Sequence, residues 1–239
     1  MIVCCITGAT PCARAMLESP GYARPSDGEA VTGPGADTAV RVACKHEHWE
    51  LARLLLEHGC PVSPGGDDDP LLLCIEAGMP EDMLALLLHA GCEPHVTGSA
   101  GNTALHLAAA FGSVDAIRLL ILRGARVHKM NHAGEAPLHV ACKAGHLDAV
   151  KALVEEGHAG VNMCSRGLGY APVFAAAANG RTSVVRYLLH DVAGTRADVD
   201  IRATTGGTAL FAACMYEVRG GVLGGQWLAT CTCEASAHS

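Results

Sequence analysis

Thirteen histidines and twelve cysteines in 239 residues are enough to build metal centres, so spacing decides whether one is present. Zinc sites combine close pairs of Cys or His, one pair following another at a defined distance. His46-Glu47-His48 and Cys231-Thr232-Cys233 are such close pairs, but neither is followed by a second. The run Gly66-Asp67-Asp68-Asp69 offers carboxylates without the ligand spacing of a calcium loop, and reads as a solvated finger tip. No G-x-S-x-G elbow is present, and no glycine-rich phosphate loop opens a helix after a strand. Cysteines and histidines instead recur at regular positions, as scaffold residues do. The expectation is no catalytic residue, no metal, no cofactor and no enzymatic activity.

The bulk properties constrain the elements further. Half of the chain is apolar but only 4% is aromatic, so the core must be built from Leu, Ala, Val and Ile. Such side chains suit closely packed helices better than a ligand cavity. The net charge of −7 and the lack of a long basic run argue against nucleic acid as a partner. An even number of cysteines invites a disulfide reading. However, Cys44, Cys74 and Cys142 sit in apolar helical stretches, where free Cys acts as a small hydrophobe. Residues 2–9 are apolar with no basic segment before them, unlike an export signal. No apolar run approaches the ~20 residues that span a bilayer, so no membrane insertion is expected. A reducing, cytoplasmic or nuclear location follows as an expectation.

Internal periodicity is the main signal. Residues 101–127 (GNTALHLAAAFGSVDAIRLLILRGARV) and 134–160 (GEAPLHVACKAGHLDAVKALVEEGHAG) align without a gap at an offset of 33. Weaker copies occur at 38–62, at 70–94 with one extra residue assigned to its second helix, and at 171–189. A sixth opens at 206–214. The motifs Thr103-Ala104-Leu105-His106 and Ala136-Pro137-Leu138-His139 resemble the signature tetrapeptide of the ankyrin-repeat family, Thr-Pro-Leu-His at a 33-residue period.

The resemblance implies an all-α ankyrin-repeat solenoid, with helix-turn-helix repeats joined by β-hairpin-like fingers. Repeats are placed near 36–66, 67–100, 101–133, 134–168 and 169–205, with a partial one at 206–214. Thr103 and Pro137 fit helix starts, and Leu105 and Leu138 are expected in the core. The resemblance assigns Thr103, His106 and His139 to hydrogen bonds within the tetrapeptide and to neighbouring backbone. Ala136 and Ala171 lack the capping hydroxyl. Gly112, Gly145 and Gly180 are expected to turn the chain between the helices of a repeat, and Gly124 and Gly157 to end the second helix. At the N-terminus, Val3–Gly8 fits the end of a first helix and Ala13–Leu17 a second, before a Gly/Pro-rich linker, so that 1–35 reads as a partial repeat plus linker. Residues 215–239 have no helical period and read as a disordered or non-native tail.

The function implied is that of a scaffold holding a protein partner on its concave face and fingers. The first-helix ends that register places there are Lys45-His46, Glu76-Ala77, Ala110-Phe111, Lys143-Ala144 and Ala178-Asn179. Arg126, His128, Lys129 and His132 come from a finger. Phe111 is either an interface anchor or packing against the neighbouring repeat. The alternative function is substrate recognition within a larger assembly, such as a ubiquitin ligase adaptor. Neither reading identifies the partner.

Overall fold

Residues 7–19, 39–60, 62, 68–190 and 196–218 are described by the structure, a computed structural model. The described chain forms twelve helices: α1 (Thr10–Leu17), α2 (Ala39–Lys45), α3 (Trp49–Glu57), α4 (Pro70–Glu76), α5 (Glu81–His89), α6 (Ala104–Phe111), α7 (Val114–Leu122), α8 (Pro137–Ala144), α9 (Leu147–Lys151), α10 (Pro172–Ala178), α11 (Thr182–Leu189) and α12 (Ala209–Val218). Helix α9 continues into a π-helical turn, Ala152–Glu156. Among the described residues there is no strand, only an isolated antiparallel bridge between Thr97 and Thr103.

The chain divides into two compact units. One holds the residues up to Ala108 together with Asp115–Arg126; the other holds Ala109–Val114 and the residues from Val127 on. In the first, α2 packs on α3, α4 on α5, α2 on α4 and α3 on α5. Helix α1 packs on α3 and buries Ala13 and Leu17. In the second, α8 packs on α10, α10 on α12 and α9 on α11. First helices therefore stack on first helices and second on second, the arrangement by which repeats bury what no single repeat can. Leu51, Leu55, Leu71 and Leu87 lie fully buried in the first unit, and Leu138, Leu153 and Leu188 in the second.

Helix starts follow from local chemistry. Asp69 is fully buried, and its carboxylate accepts the Leu71 N–H at 2.9 Å as the N-cap of α4, with Pro70 at the first helical position. The acidic run is therefore not simply a solvated tip. Its Asp69 stands where Thr103 stands two helices later, and Asp68 binds Lys45 at 2.6 Å. Gly66 and Asp67 lie outside the described residues. Ala136 and Ala171 begin α8 and α10 in extended conformation with no side-chain cap.

Two register assignments need correction. The extra residue near 70–94 is not in the second helix, since α5 and α7 each have nine residues. It lies in the turn before it, Gly78-Met79-Pro80, against Gly112-Ser113 before α7. The 33-residue match of 134–160 likewise breaks near its end. The second helix there has one residue more, absorbed as the π turn, with the Ala159 N–H reaching the Leu153 carbonyl at 2.9 Å. Gly157 consequently has φ −86°, and His158, at φ +51°, takes the left-handed position that Gly124 takes at φ +80°.

At the ends, Val3–Ile6, most of the proposed linker and residues 219–239 lie outside the described residues. Helix α12 runs three residues beyond Met215, so the helical backbone enters the segment read as tail.

Candidate functional site

The stacking contacts set the frame on which any binding surface is carried. Gly112 turns the chain between α6 and α7 at φ +72°. A Cβ built on it would stand 2.6 Å from the His146 ring. His146 sits there because its Nε2–H donates to the Ala110 carbonyl at 3.0 Å, tying the next repeat to the end of α6. Arg181 repeats the device one repeat on. Its Nε–H donates to the Lys143 carbonyl at 3.2 Å, and its Cδ would lie 2.5 Å from a Cβ on Gly145. The corresponding ring at Gly8 is that of His48. Glycine is needed at Gly112 and Gly145 both for backbone conformation and because a neighbouring side chain occupies the space. Glu47 holds the same turn position at φ +59° without being glycine.

The tetrapeptide histidines are structural. His106 is buried, and its Nδ1 accepts from the Thr103 N–H at 3.1 Å and from the Thr103 hydroxyl at 2.8 Å. The hydroxyl thus donates to the ring. His139 Nδ1 accepts the Ala136 N–H at 3.3 Å, which places the proton on Nε2, and Nε2–H donates to the Tyr170 carbonyl at 3.2 Å. Burial lowers the His139 pKa below the ordinary histidine value, against the opposing pull of the Tyr170 carbonyl and the Glu135 carboxylate. A neutral ring held at both nitrogens acts as a bracket between repeats. At the equivalent positions in the next two repeats stand Phe174 and Phe211.

The proposed partner-facing residues divide between the units: Lys45, His46 and Arg126 in the first, and Ala110, Phe111, His128, Lys129, His132, Lys143 and Asn179 in the second. Lys45, His46, Arg126, His128, Lys129, His132 and Lys143 are exposed. Two of the cations are already engaged. Lys45 binds Asp68, whose pKa is lowered first by that hydrogen bond. Lys143 reaches Glu135 at 3.4 Å, and the Tyr170 hydroxyl donates to the same carboxylate oxygen. The His46 ring stacks at 6.3 Å on that of His48. Ala110 offers its carbonyl to His146, and the Asn179 amide donates to Ala175 O at 2.8 Å, closing its own helix end. Phe111 is 56% exposed. Register did not single out Leu168, also 56% exposed, or Arg166 and Arg202, on the two fingers that follow. The loop closed by Ser165 and Tyr170 is one residue longer than that closed by Asn131 and Glu135, which was its only sign in the sequence.

Four of the buried thiols are held in their unreactive form. Burial pushes the thiols of Cys44, Cys74 and Cys92 up to about 12 and raises that of Cys142 further, so little reactive thiolate forms. The eight described cysteines are free thiols. Among the described residues, no group of three or more His, Cys, Asp or Glu is placed to hold a metal ion. Cys231 and Cys233 lie outside them. None of the described helices is long and apolar enough to cross a membrane.

Two family models match the chain, both described as ankyrin repeats: one of three copies over residues 71–163, and one of many copies over 138–189. A comparison with curated proteins found no match. With stacked helix pairs, left-handed turns, histidine brackets and these matches in agreement, the chain belongs, through residues 71–189, to the ankyrin-repeat family.

Proposed function

We propose that the chain binds another protein through the ends of its first helices and its finger loops. Ankyrin repeats are generally protein–protein interaction modules and typically non-enzymatic. The observation that carries the finer reading is Phe111. It is a large apolar side chain at the C-terminal end of α6, and 56% of it faces solvent in a chain with three phenylalanines. Interior packing would bury it, whereas interface anchors are exposed aromatics that a partner desolvates. Lys129 supplies charge in the same unit, as at an interface rim.

The test is affinity capture on the full chain with identification of the bound protein, repeated with Phe111→Ala. Binding should weaken by more than ~1 kcal/mol while the melting curve stays nearly unchanged. A variant that keeps full affinity removes Phe111 from the site. A variant that loses stability in parallel with binding makes it packing.

A further inference from the structure

Three fingers of the second unit are joined edge to edge through their backbones. The Arg166 N–H donates to the Gly134 carbonyl at 2.8 Å, and the Thr204 N–H to the Leu168 carbonyl at 2.9 Å, with the Thr204 hydroxyl on the same oxygen at 3.3 Å. The segments 127–134, 162–170 and 201–207 carry His128, Lys129, His132, Arg166 and Arg202, all exposed, and no Asp or Glu, in a chain of net charge −7. None of these five pairs with a carboxylate among the described residues, whereas Lys45, Arg53, Lys143 and Lys151 all do. Three carboxylates flank these segments, at Glu135, Asp198 and Asp200. Glu135 is buried between Lys143 and Tyr170, and Asp198 accepts the backbone N–H of the exposed Asp200 at the base of the third finger. Leu168, 56% exposed, lies two residues from Arg166 in the second of these segments.

We propose that this row of finger tips receives an acidic segment of a partner protein, with carboxylates on Lys129, Arg166 and Arg202 and an apolar side chain on Leu168. The proposal rests on the reading of the chain as a protein-binding module and specifies the chemistry of its partner. Unpaired charge of one sign, held at fixed spacing by backbone bonds, attracts its complement and discriminates against its like. Three full cations and an exposed leucine on joined fingers suit a short acidic-apolar peptide. Nucleic acid binding draws on more numerous Lys and Arg and on aromatic platforms, and these segments hold no Phe or Trp, while the hydroxyl of Tyr170 is held by Glu135.

The experiment titrates the full chain into a short fluorescent peptide of Glu and Leu, with length-matched Gln/Leu and Lys/Leu peptides and an oligothymidylate as controls. The Glu/Leu peptide should bind best and weaken steadily as salt is raised. The combined Lys129→Glu, Arg166→Glu and Arg202→Glu variant should lose about tenfold in affinity with an unchanged melting curve, since exposed pairs contribute modestly each. Leu168→Ser should weaken binding without altering the salt dependence. Equal binding of the Gln/Leu peptide, or no effect of the charge reversals, overturns the proposal. So does displacement of the peptide by oligothymidylate at lower concentration, which would make the surface a phosphate reader. If the protein captured through Phe111 still binds the charge-reversed variant at full affinity, the binding-module reading stands and the acidic-partner inference alone falls.

Discussion

Replacing Gly112 by alanine separates two costs that the repeat combines at one atom. Holding a Cβ at φ +72° costs roughly 1–2 kcal/mol. The reduced freedom of the unfolded chain returns about 0.4–1 of that. Gly124 is the control, because at φ +80° it carries the same backbone cost with nothing within 4 Å of its Cβ. Gly124→Ala should therefore cost about 0.5–1 kcal/mol. At Gly112 the new methyl would stand 2.6 Å from the His146 ring, which must swing away and give up its bond to the Ala110 carbonyl. Losing that bond adds about 0.5–1.5 kcal/mol, and displaced packing brings the sum to roughly 2–3. Valine, β-branched, should cost still more than alanine. Urea unfolding of both variants, with His146→Ala alone and combined with Gly112→Ala, completes a double-mutant cycle. The combined variant should lose less than the sum of the singles. If Gly112→Ala is no costlier than Gly124→Ala, or the cycle shows no coupling, the inter-repeat bracket is not what the turn glycine protects.

Other consequences are equally open to measurement. His139→Phe leaves the Ala136 N–H and the Tyr170 carbonyl unpaired and should cost about 1–3 kcal/mol at neutral pH. Because the folded pKa of His139 lies below its unfolded value of about 6.5, the unfolded chain takes the proton first. The stabilisation by His139 is therefore full above that pH and lost as pH falls through it, and the deficit of the variant should shrink in step. A deficit constant across that window would refute the assignment of a neutral, bracketing ring. Glu47→Gly and His158→Gly relieve left-handed backbone and should each raise stability by about 0.5–1 kcal/mol in urea unfolding, once the entropy cost of glycine is deducted. Alkylation of the native protein followed by mass mapping should label Cys12, Cys164 and Cys214 quickly and spare Cys44, Cys74, Cys92 and Cys142 until unfolding.

The all-α repeat fold could be read from the sequence because its signals are local. A Pro at a helix start, a Leu two residues into the motif and a Gly between helices are each fixed by the backbone beside them. The contacts between repeats were not legible in the same way. His146 and Arg181 look like ordinary turn residues until the structure seats them on Gly112 and Gly145, 34 and 36 residues before them in the chain. Asp69 was hidden because one N-cap chemistry had replaced another. An alignment counts residues without showing whether a turn or a helix absorbs a surplus, so it could not show that the extra residue near 70–94 lies in the turn before α5, or that the surplus after α9 forms a π turn. For the candidate surface, register could place Lys45 and Lys143 at helix ends, but not show that Asp68 and Glu135 engage them. Nor could it single out Leu168, exposed in a loop one residue longer than its neighbour.

The face used for binding is tested most directly by site-specific photo-crosslinking. A photoreactive phenylalanine analogue would be placed in turn at Phe111, at Lys129 and at Ser183, the last exposed on the second helix α11. Irradiation in the presence of the captured partner should give crosslinks from positions 111 and 129 and none from 183. Crosslinks from 183 alone would place the partner on the opposite helices and contradict the account.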